Sequence, residues 1–216
     1  MLYIIATPIG NLEDMTLRAI RILKQVEYIL CEDTRVTKKL LDRYKIQGKK
    51  LIGYHQHTKQ NKTDSLIKLI QGNDIALVTD AGTPGISDPG NRLISQLKDV
   101  TVIPIPGASA LTSALSVSGL PTDEFVFLGF IPHKKGKQTM LKQVWEEKRT
   151  VVFYESKHRI IKTLKQLKEF KTKDKKFIIC RELTKKFETI YRGNIEDVLE
   201  KVSQDNIKGE YVVVVG

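Results

Sequence analysis

Two short segments carry the side chains of this chain best suited to chemistry. One is Glu32-Asp33-Thr34-Arg35, at the end of an apolar run. The other is Asp80-Ala81-Gly82-Thr83-Pro84-Gly85-Ile86-Ser87-Asp88-Pro89-Gly90. A carboxylate at Asp33 can accept a proton from a hydroxyl, or it can orient Arg35, whose planar fork suits a phosphate. The plainer alternative is a local Asp33–Arg35 turn pair with Thr34 capping the helix that follows. His55 and His57 follow a third apolar run, and two of the four histidines within three residues can hydrogen-bond a substrate or act as a base. They are equally well read as a solvated loop, and their spacing supplies no third ligand for a metal.

The long segment is one of three loops rich in glycine and proline. Ala6-Thr7-Pro8-Ile9-Gly10-Asn11-Leu12 precedes it and Ile105-Pro106-Gly107-Ala108-Ser109-Ala110 follows it. Each comes after a short apolar run and before a stretch able to form helix. That is the rhythm of an open parallel sheet, whose ligands bind beyond the carboxyl ends of the strands. None of the three carries the Gly-Lys-Ser/Thr ending of a triphosphate loop or the glycine triad of a dinucleotide fold. None contains Lys or Arg, whereas Glu13, Asp14, Asp80 and Asp88 lie in or beside them. Such a setting repels a polyphosphate and suits a ligand with a cationic centre, a sugar and a flat base. Ordinary turns with helix-capping acids are the alternative for any one loop taken alone.

The elements that position these loops follow from periodicity. Strands are expected at 2–6, 26–31, 51–54, 75–79 and 102–105, with helices at 14–24, 34–44, 64–70, 88–97 and 109–117. The helix at 14–24 is expected to turn Leu17, Ile20, Ile22 and Leu23 inward, and Pro89 suits a first helical turn. Gly119-Leu120-Pro121-Thr122 is the best boundary, giving domains 1–118 and 119–216. Beyond it come strands at 125–130, 151–155, 177–181, 187–192 and 211–215, with helices at 138–147, 158–170 and 195–202. The strands at 177–181 and 187–192 lie close enough to pair antiparallel, so the second sheet is expected to be mixed. Trp145 reads as packing in the core or at a dimer contact.

With 216 residues and 41% hydrophobic content, the chain can hold one large domain or two modest ones. No apolar run reaches the length of a membrane span, and the opening Met1-Leu2-Tyr3-Ile4-Ile5-Ala6 reads as a strand, not a signal peptide. Cys31 and Cys180 each lie in an apolar run and read as core residues in a reducing cytoplasm. The net charge of +11 is concentrated in the second half, with 21 basic against 14 acidic side chains after Ser118. A basic protein with locally acidic loops suggests two ligands, a cationic small molecule and a polyanion. The compact run His133-Lys134-Lys135-Gly136-Lys137 is the place where Lys134, Lys135 and Lys137 would meet phosphates, unless it is merely a solvated loop.

In this order the segments resemble the tetrapyrrole methylase superfamily of S-adenosylmethionine-dependent methyltransferases. Within it they resemble the branch that methylates ribose 2′-hydroxyls of small-subunit ribosomal RNA. Besides the three loops and Glu32–Arg35, the matching runs are His55-Gln56-His57, Phe127-Leu128-Gly129-Phe130, Phe153-Tyr154-Glu155 and Arg181-Glu182-Leu183-Thr184-Lys185. Many members continue past the last strand into a further helical segment, whereas this sequence reads to Gly216.

The resemblance implies an α/β, two-domain tetrapyrrole-methylase fold with a mainly parallel N-terminal sheet and a mixed C-terminal sheet. It implies S-adenosyl-L-methionine folded in the interdomain cleft, and a homodimer in the cytoplasm. The cofactor would be held by Pro8, Asp80, Ala81, Gly82, Thr83, Ile86, Ser109 and Ala110, with Leu183 from the second domain. The target the resemblance implies is a cytidine of small-subunit ribosomal RNA, free or in the assembled subunit. Read from the residues themselves, Asp33 and Arg35 are the catalytic candidates, and His55, His57, Lys134, Lys135 and Lys137 are the candidates to touch that RNA. No metal is implied. A tetrapyrrole-type small-molecule methyltransferase and a non-catalytic RNA-binding assembly module are the competing readings. The run Glu-Asp-Thr-Arg and the basic second half weigh against the first of these, and the intact Asp80–Gly90 segment weighs against the second.

Overall fold

In the first half of the chain, short runs rich in Ile, Leu and Val become strands and the amphipathic stretches between them become helices. β1 (Leu2–Ile5), β2 (Tyr28–Cys31), β3 (Lys50–Gly53), β4 (Ile75–Leu77) and β5 (Val102–Ile105) form one sheet in the order β3-β2-β4-β1-β5. Every neighbouring pair is parallel, so all five carboxyl ends share one edge. The computed structural model describes residues 1–56 and 58–216.

Both faces of this sheet are covered, which is why its strands are apolar on both sides. α1 (Leu17–Gln25) and α2 (Thr34–Arg43) bury Ala19, Ile22, Leu23, Leu40 and Leu41 against Ile5, Ile29, Ala76 and Val78. α3 (Gln60–Gly72) and α4 (Asn91–Ile94) bury Leu66, Ile70 and Leu93 against Leu2, Leu30, Ile75 and Leu77 on the other face. Burying each of these leucine, isoleucine and valine side chains contributes about 1.5–3 kcal/mol. The chain therefore leaves β1 toward one face and β4, its hydrogen-bonded neighbour, toward the other. Divergence of this kind opens a crevice at the carboxyl ends of adjacent strands.

The second half builds a mixed sheet. Its elements are α5 (Ala110–Ser116), β6 (Phe125–Phe130), α6 (Lys137–Glu146), β7 (Thr150–Ser156), α7 (Ile160–Glu169), β8 (Phe177–Arg181), β9 (Thr189–Gly193), α8 (Ile195–Gln204) and β10 (Glu210–Val215). The order is β6-β7-β10-β8-β9, with β6 parallel to β7 and the remaining pairs antiparallel. Helices α6, α7 and α8 bury Leu141, Val144, Trp145, Leu164, Leu167 and Val198 on one face. Trp145 is fully buried, its indole N–H donates to the Leu167 carbonyl at 2.8 Å, and its ring lies against Phe177.

By internal contacts the chain divides into compact units 1–109 and 110–216. α5 packs on β10 and β7 and so belongs with the second sheet; the division falls nine residues before the boundary that the turn signals at Gly119–Thr122 predict. Cys31 and Cys180 are free and buried, and burial pushes the Cys180 thiol up to about 11. Among the described residues no helix is long and apolar enough to cross a membrane, and no three His, Cys, Asp or Glu side chains gather as a metal would need.

Several boundaries moved for identifiable reasons. The first helix starts at Leu17 because Thr16 accepts from the Ala19 N–H, closing the N-terminus there; Leu17 then points outward and is 86% exposed, contrary to the inward face expected of it. The segment from Leu12 to Asp14 is instead a single 3-10 turn capped by Asn11. The helix expected over 88–97 shrinks to Asn91–Ile94, since Gly90 adopts a φ of 149°, outside helical space. The third helix begins four residues before its expected start, at Gln60. The strand expected over 187–192 begins at Thr189, after the exposed Phe187.

Replacing Trp145 by Ala removes both the largest buried side chain of the second unit and its hydrogen bond. The expected loss is about 3–5 kcal/mol of unfolding free energy, read by urea titration with far-ultraviolet circular dichroism on the full chain. A midpoint equal to that of the parent would show that this residue is not a core determinant.

Candidate functional site

The strand order sets the order of the loops along the carboxyl edge. His55 follows β3, Asp33 follows β2, Asp80 follows β4, Pro8 follows β1 and Pro106 to Ser109 follow β5. Segments separated by up to about a hundred residues in sequence are thereby brought into one row.

The central loops are tied to one another by main chain. Thr7 and Gly82 exchange two backbone hydrogen bonds of 2.9 and 3.0 Å, an antiparallel bridge that extends the sheet past its last regular residues. The Thr7 hydroxyl donates to the Thr79 carbonyl at 3.0 Å, and the Thr83 hydroxyl donates to the Ala108 carbonyl at 3.3 Å. The loops after β1, β4 and β5 thus form one connected surface. Ala81 and Ile86 are exposed on it, Thr83 and Ser109 are half-buried, and Pro8 and Gly82 lie beneath. Gly85 has a φ of 84°, and a Cβ there would meet Asn91 Oδ1 at 2.5 Å. The Asn91 amide donates to the Gly85 carbonyl at 2.8 Å, so the helix that follows holds the turn closed. Ser87 holds a φ of 63°, which costs a non-glycine residue about 1–3 kcal/mol and persists only where the surroundings enforce it.

Asp33 has a well-defined local role. Its side chain caps α2, accepting the Arg35 backbone N–H at 2.8 Å, so Asp33 is the N-cap and Thr34, expected to be the cap, is the first helical residue. The Arg35 guanidinium grips the same carboxylate through Nε at 3.0 Å and Nη2 at 2.6 Å. These donors hold the Asp33 carboxyl down to about 2, with the Arg35 side-chain hydrogen bonds the largest cause. A carboxylate that acidic is a poor proton acceptor at neutral pH. Of the two roles weighed for Asp33, the geometry fits the orienter of Arg35. Arg35 itself is 86% exposed, so the pair adds little stability; it aims a cation outward. The Asp33 backbone N–H donates to Asp80 Oδ1 at 3.0 Å, joining the loop after β2 to that after β4.

The other expected residues divide. His55 is exposed in a turn closed by its N–H on the Thr58 hydroxyl at 2.8 Å, while His57 lies outside the described residues. Lys134 and Lys135 are exposed in the loop before α6. Lys137 is not: it is 7% exposed, and its ammonium donates to the Thr163 hydroxyl at 3.2 Å. Thr163 donates in turn to the buried Glu155 at 2.7 Å. Burial lowers the Lys137 pKa, and this lysine anchors the loop from below instead of meeting phosphates. Sequence missed this because Lys137 looks like its neighbours; the first turn of α6 rotates it inward. Ala110 opens α5. Leu183 is buried between Glu182 and Thr184, both at positive φ (52° and 66°).

Thr79 was also missed. Its Oγ1 is buried without a hydrogen-bond partner among the described residues, directly before Asp80. An orphaned hydroxyl of this kind costs about 1–3 kcal/mol, so the end of β4 is a place where an added polar partner stabilises. The three loops combine small side chains and nearby acids with no Lys or Arg, a setting that suits a ligand with a cationic centre and not a polyphosphate.

Residues 1–199 match the family model for tetrapyrrole (corrin/porphyrin) methylases, and the chain belongs to that family. Among individual relatives, a "Ribosomal RNA small subunit methyltransferase I" of Halalkalibacterium halodurans is 48% identical, the match covering 99% of this chain and 75% of that protein. Another of the same name, from a Hydrogenobaculum species, is 46% identical over 99% of this chain and 94% of its own length. A solved diphthine synthase has the same fold, with a TM-score of 0.76 at 13% identity, covering 100% of this chain and 89% of that one.

The Asp33 pairing is open to direct test. A carboxylate with a depressed pKa favours the folded state above its unfolded pKa of about 4 and loses that advantage as pH falls through about 2. Carbon-13 NMR should therefore place the Asp33 midpoint near 2 in the parent. Arg35→Ala should move it up toward the ordinary carboxylate range, and an unmoved midpoint would exclude the arginine as its cause.

Proposed function

We propose that this chain transfers a methyl group from S-adenosylmethionine to a ribose 2′-hydroxyl of a cytidine in small-subunit ribosomal RNA, acting as a cytoplasmic homodimer. The observation that carries the reading is the identity of 43–48% along essentially the whole chain to proteins named as small-subunit ribosomal RNA methyltransferases. The acidic, main-chain-lined loops beside a net charge of +11 support it, since they suit a cationic donor and a polyanionic acceptor. The fold likeness to tetrapyrrole enzymes, at 18% identity or so, concerns architecture alone and does not favour a porphyrinoid substrate.

The bound cofactor supplies an electrophilic methyl carbon. The protein must hold the ribose oxygen in line with it, and alignment of this kind can lower a barrier by roughly 7–11 kcal/mol at the favourable limit. Pro8, Asp80, Ala81, Gly82, Thr83, Ile86, Ser109, Ala110 and Leu183 are the proposed cofactor contacts. Arg35, held by Asp33, would fix a phosphate next to the target nucleotide through the guanidinium edge that Asp33 leaves open. His55, His57, Lys134 and Lys135 would add further contacts to the RNA.

Small subunits lacking ribose methylation, incubated with this protein and S-adenosylmethionine, should acquire one 2′-O-methylcytidine, mapped by mass spectrometry. Arg35→Ala should raise the KM for RNA about 10- to 100-fold, as expected for loss of a charge-assisted contact, while S-adenosylhomocysteine binding stays unchanged. Methylation of a porphyrinoid precursor with none in RNA would overturn the assignment.

A further inference from the structure

Strand β6 forms one edge of the second sheet and contains a deliberate irregularity. Phe127 pairs with Val152 of β7, but Phe130 pairs with Tyr154, so three steps on β6 match two on β7. Gly129 has a φ of 64°, a conformation a side-chain-bearing residue would adopt only under strain. In a regular strand, residues three apart point to opposite faces. Here the bulge turns Phe127 and Phe130 to the same side. Both lie edge-on to the Tyr154 ring, with centroids 5.0 and 5.4 Å away at 68° and 62°. Phe130 is left 53% exposed. Bulges at sheet edges commonly serve to re-aim a side chain.

The chain after Phe130 is anchored firmly. Ile131 is buried, and its carbonyl accepts from Arg159 Nη1 at 2.8 Å; Arg159 is also paired with the buried Glu155 at 2.8 Å. At the far end of the loop, Lys137 reaches the same Glu155 through Thr163. The exposed loop residues His133, Lys134 and Lys135 are thus carried between two ends fixed to one buried carboxylate. An exposed ring braced by other rings, beside a mounted basic loop, is the combination that receives single-stranded nucleic acid: the ring stacks a base while the cations hold its phosphates.

The geometry points to Phe130, braced by Tyr154 and Phe127, as a stacking platform for an unpaired base of the RNA substrate. This rests on the RNA methyltransferase reading and adds to it a site for a base as well as for the backbone. A polyanion suits this surface, because the exposed Lys134 and Lys135 next to the ring attract phosphates.

The test uses the full chain with fluorescein-labelled single-stranded RNA from the small subunit and with an abasic ribose-phosphate oligomer of equal length. Phe130→Ala should weaken binding of the base-bearing RNA about 10- to 100-fold. It should leave the salt dependence, the affinity for the abasic oligomer and S-adenosylhomocysteine binding unchanged. Phe130→Trp should retain binding and show fluorescence quenching as RNA is added. If the parent binds and methylates RNA and Phe130→Ala binds it equally well, the platform is wrong while the RNA reading stands. Loss of self-association in Phe130→Ala with unaltered RNA binding likewise overturns it, assigning the ring to a subunit contact. A parent that binds no RNA removes both.

Discussion

Parallel pairing of β1 with both β4 and β5 is the constraint on which the candidate site depends. It brings the ends of three strands, far apart in the chain, within backbone hydrogen-bonding reach. The bridge between Thr7 and Gly82 then carries the sheet past its regular edge, and the Thr83 hydroxyl fastens the third loop. Because α1 and α4 leave on opposite faces, the loops after β1 and β4 separate above the sheet while remaining joined at its edge. Few side chains are needed to build such a surface. Small residues and prolines dominate these loops, which lets backbone come close to a ligand and fixes the chain around it.

Charge is divided with the same economy. The acids near the loops are held in place, Asp33 by Arg35 and by the first turn of α2, Asp80 by the Asp33 peptide. Most of the surplus positive charge lies in the second half, where exposed Lys134 and Lys135 are separated from buried Lys137 by only a residue or two. Glu155 accounts for that contrast. A carboxylate buried in this way needs cationic and hydroxyl partners, and it draws in Arg159, Thr163 and through them Lys137. The result is an exposed basic loop whose two ends are tied to one buried carboxylate.

Much of the architecture was legible in the chain. Apolar runs bounded by Gly, Pro and Asp place the ten strands found among the described residues to within a few residues, and the five-strand parallel and five-strand mixed sheets follow the expected division. The errors cluster where local capping competes with periodicity. Thr16 and Asp33 set helix starts that the apolar pattern could not, and Gly90 delays the helix for which Pro89 suits the first turn. The packing of α5 on the second sheet was invisible, since a small-residue helix fits either side equally well by composition.

What the sequence by itself determined is the set of loops, their lack of cations and the basic balance of the whole, because residue type and spacing are local properties. What only the tertiary structure decided is which groups are spent on one another. Asp33 is engaged by Arg35, one of the two roles its residue type allows, and Lys137 lies buried beside Thr163, where it meets no phosphate. Phe127 and Phe130 shared a motif, but only the bulge at Gly129 put both rings on one side of the sheet. These outcomes depend on register, rotation and burial, which arise from packing between segments distant in the chain.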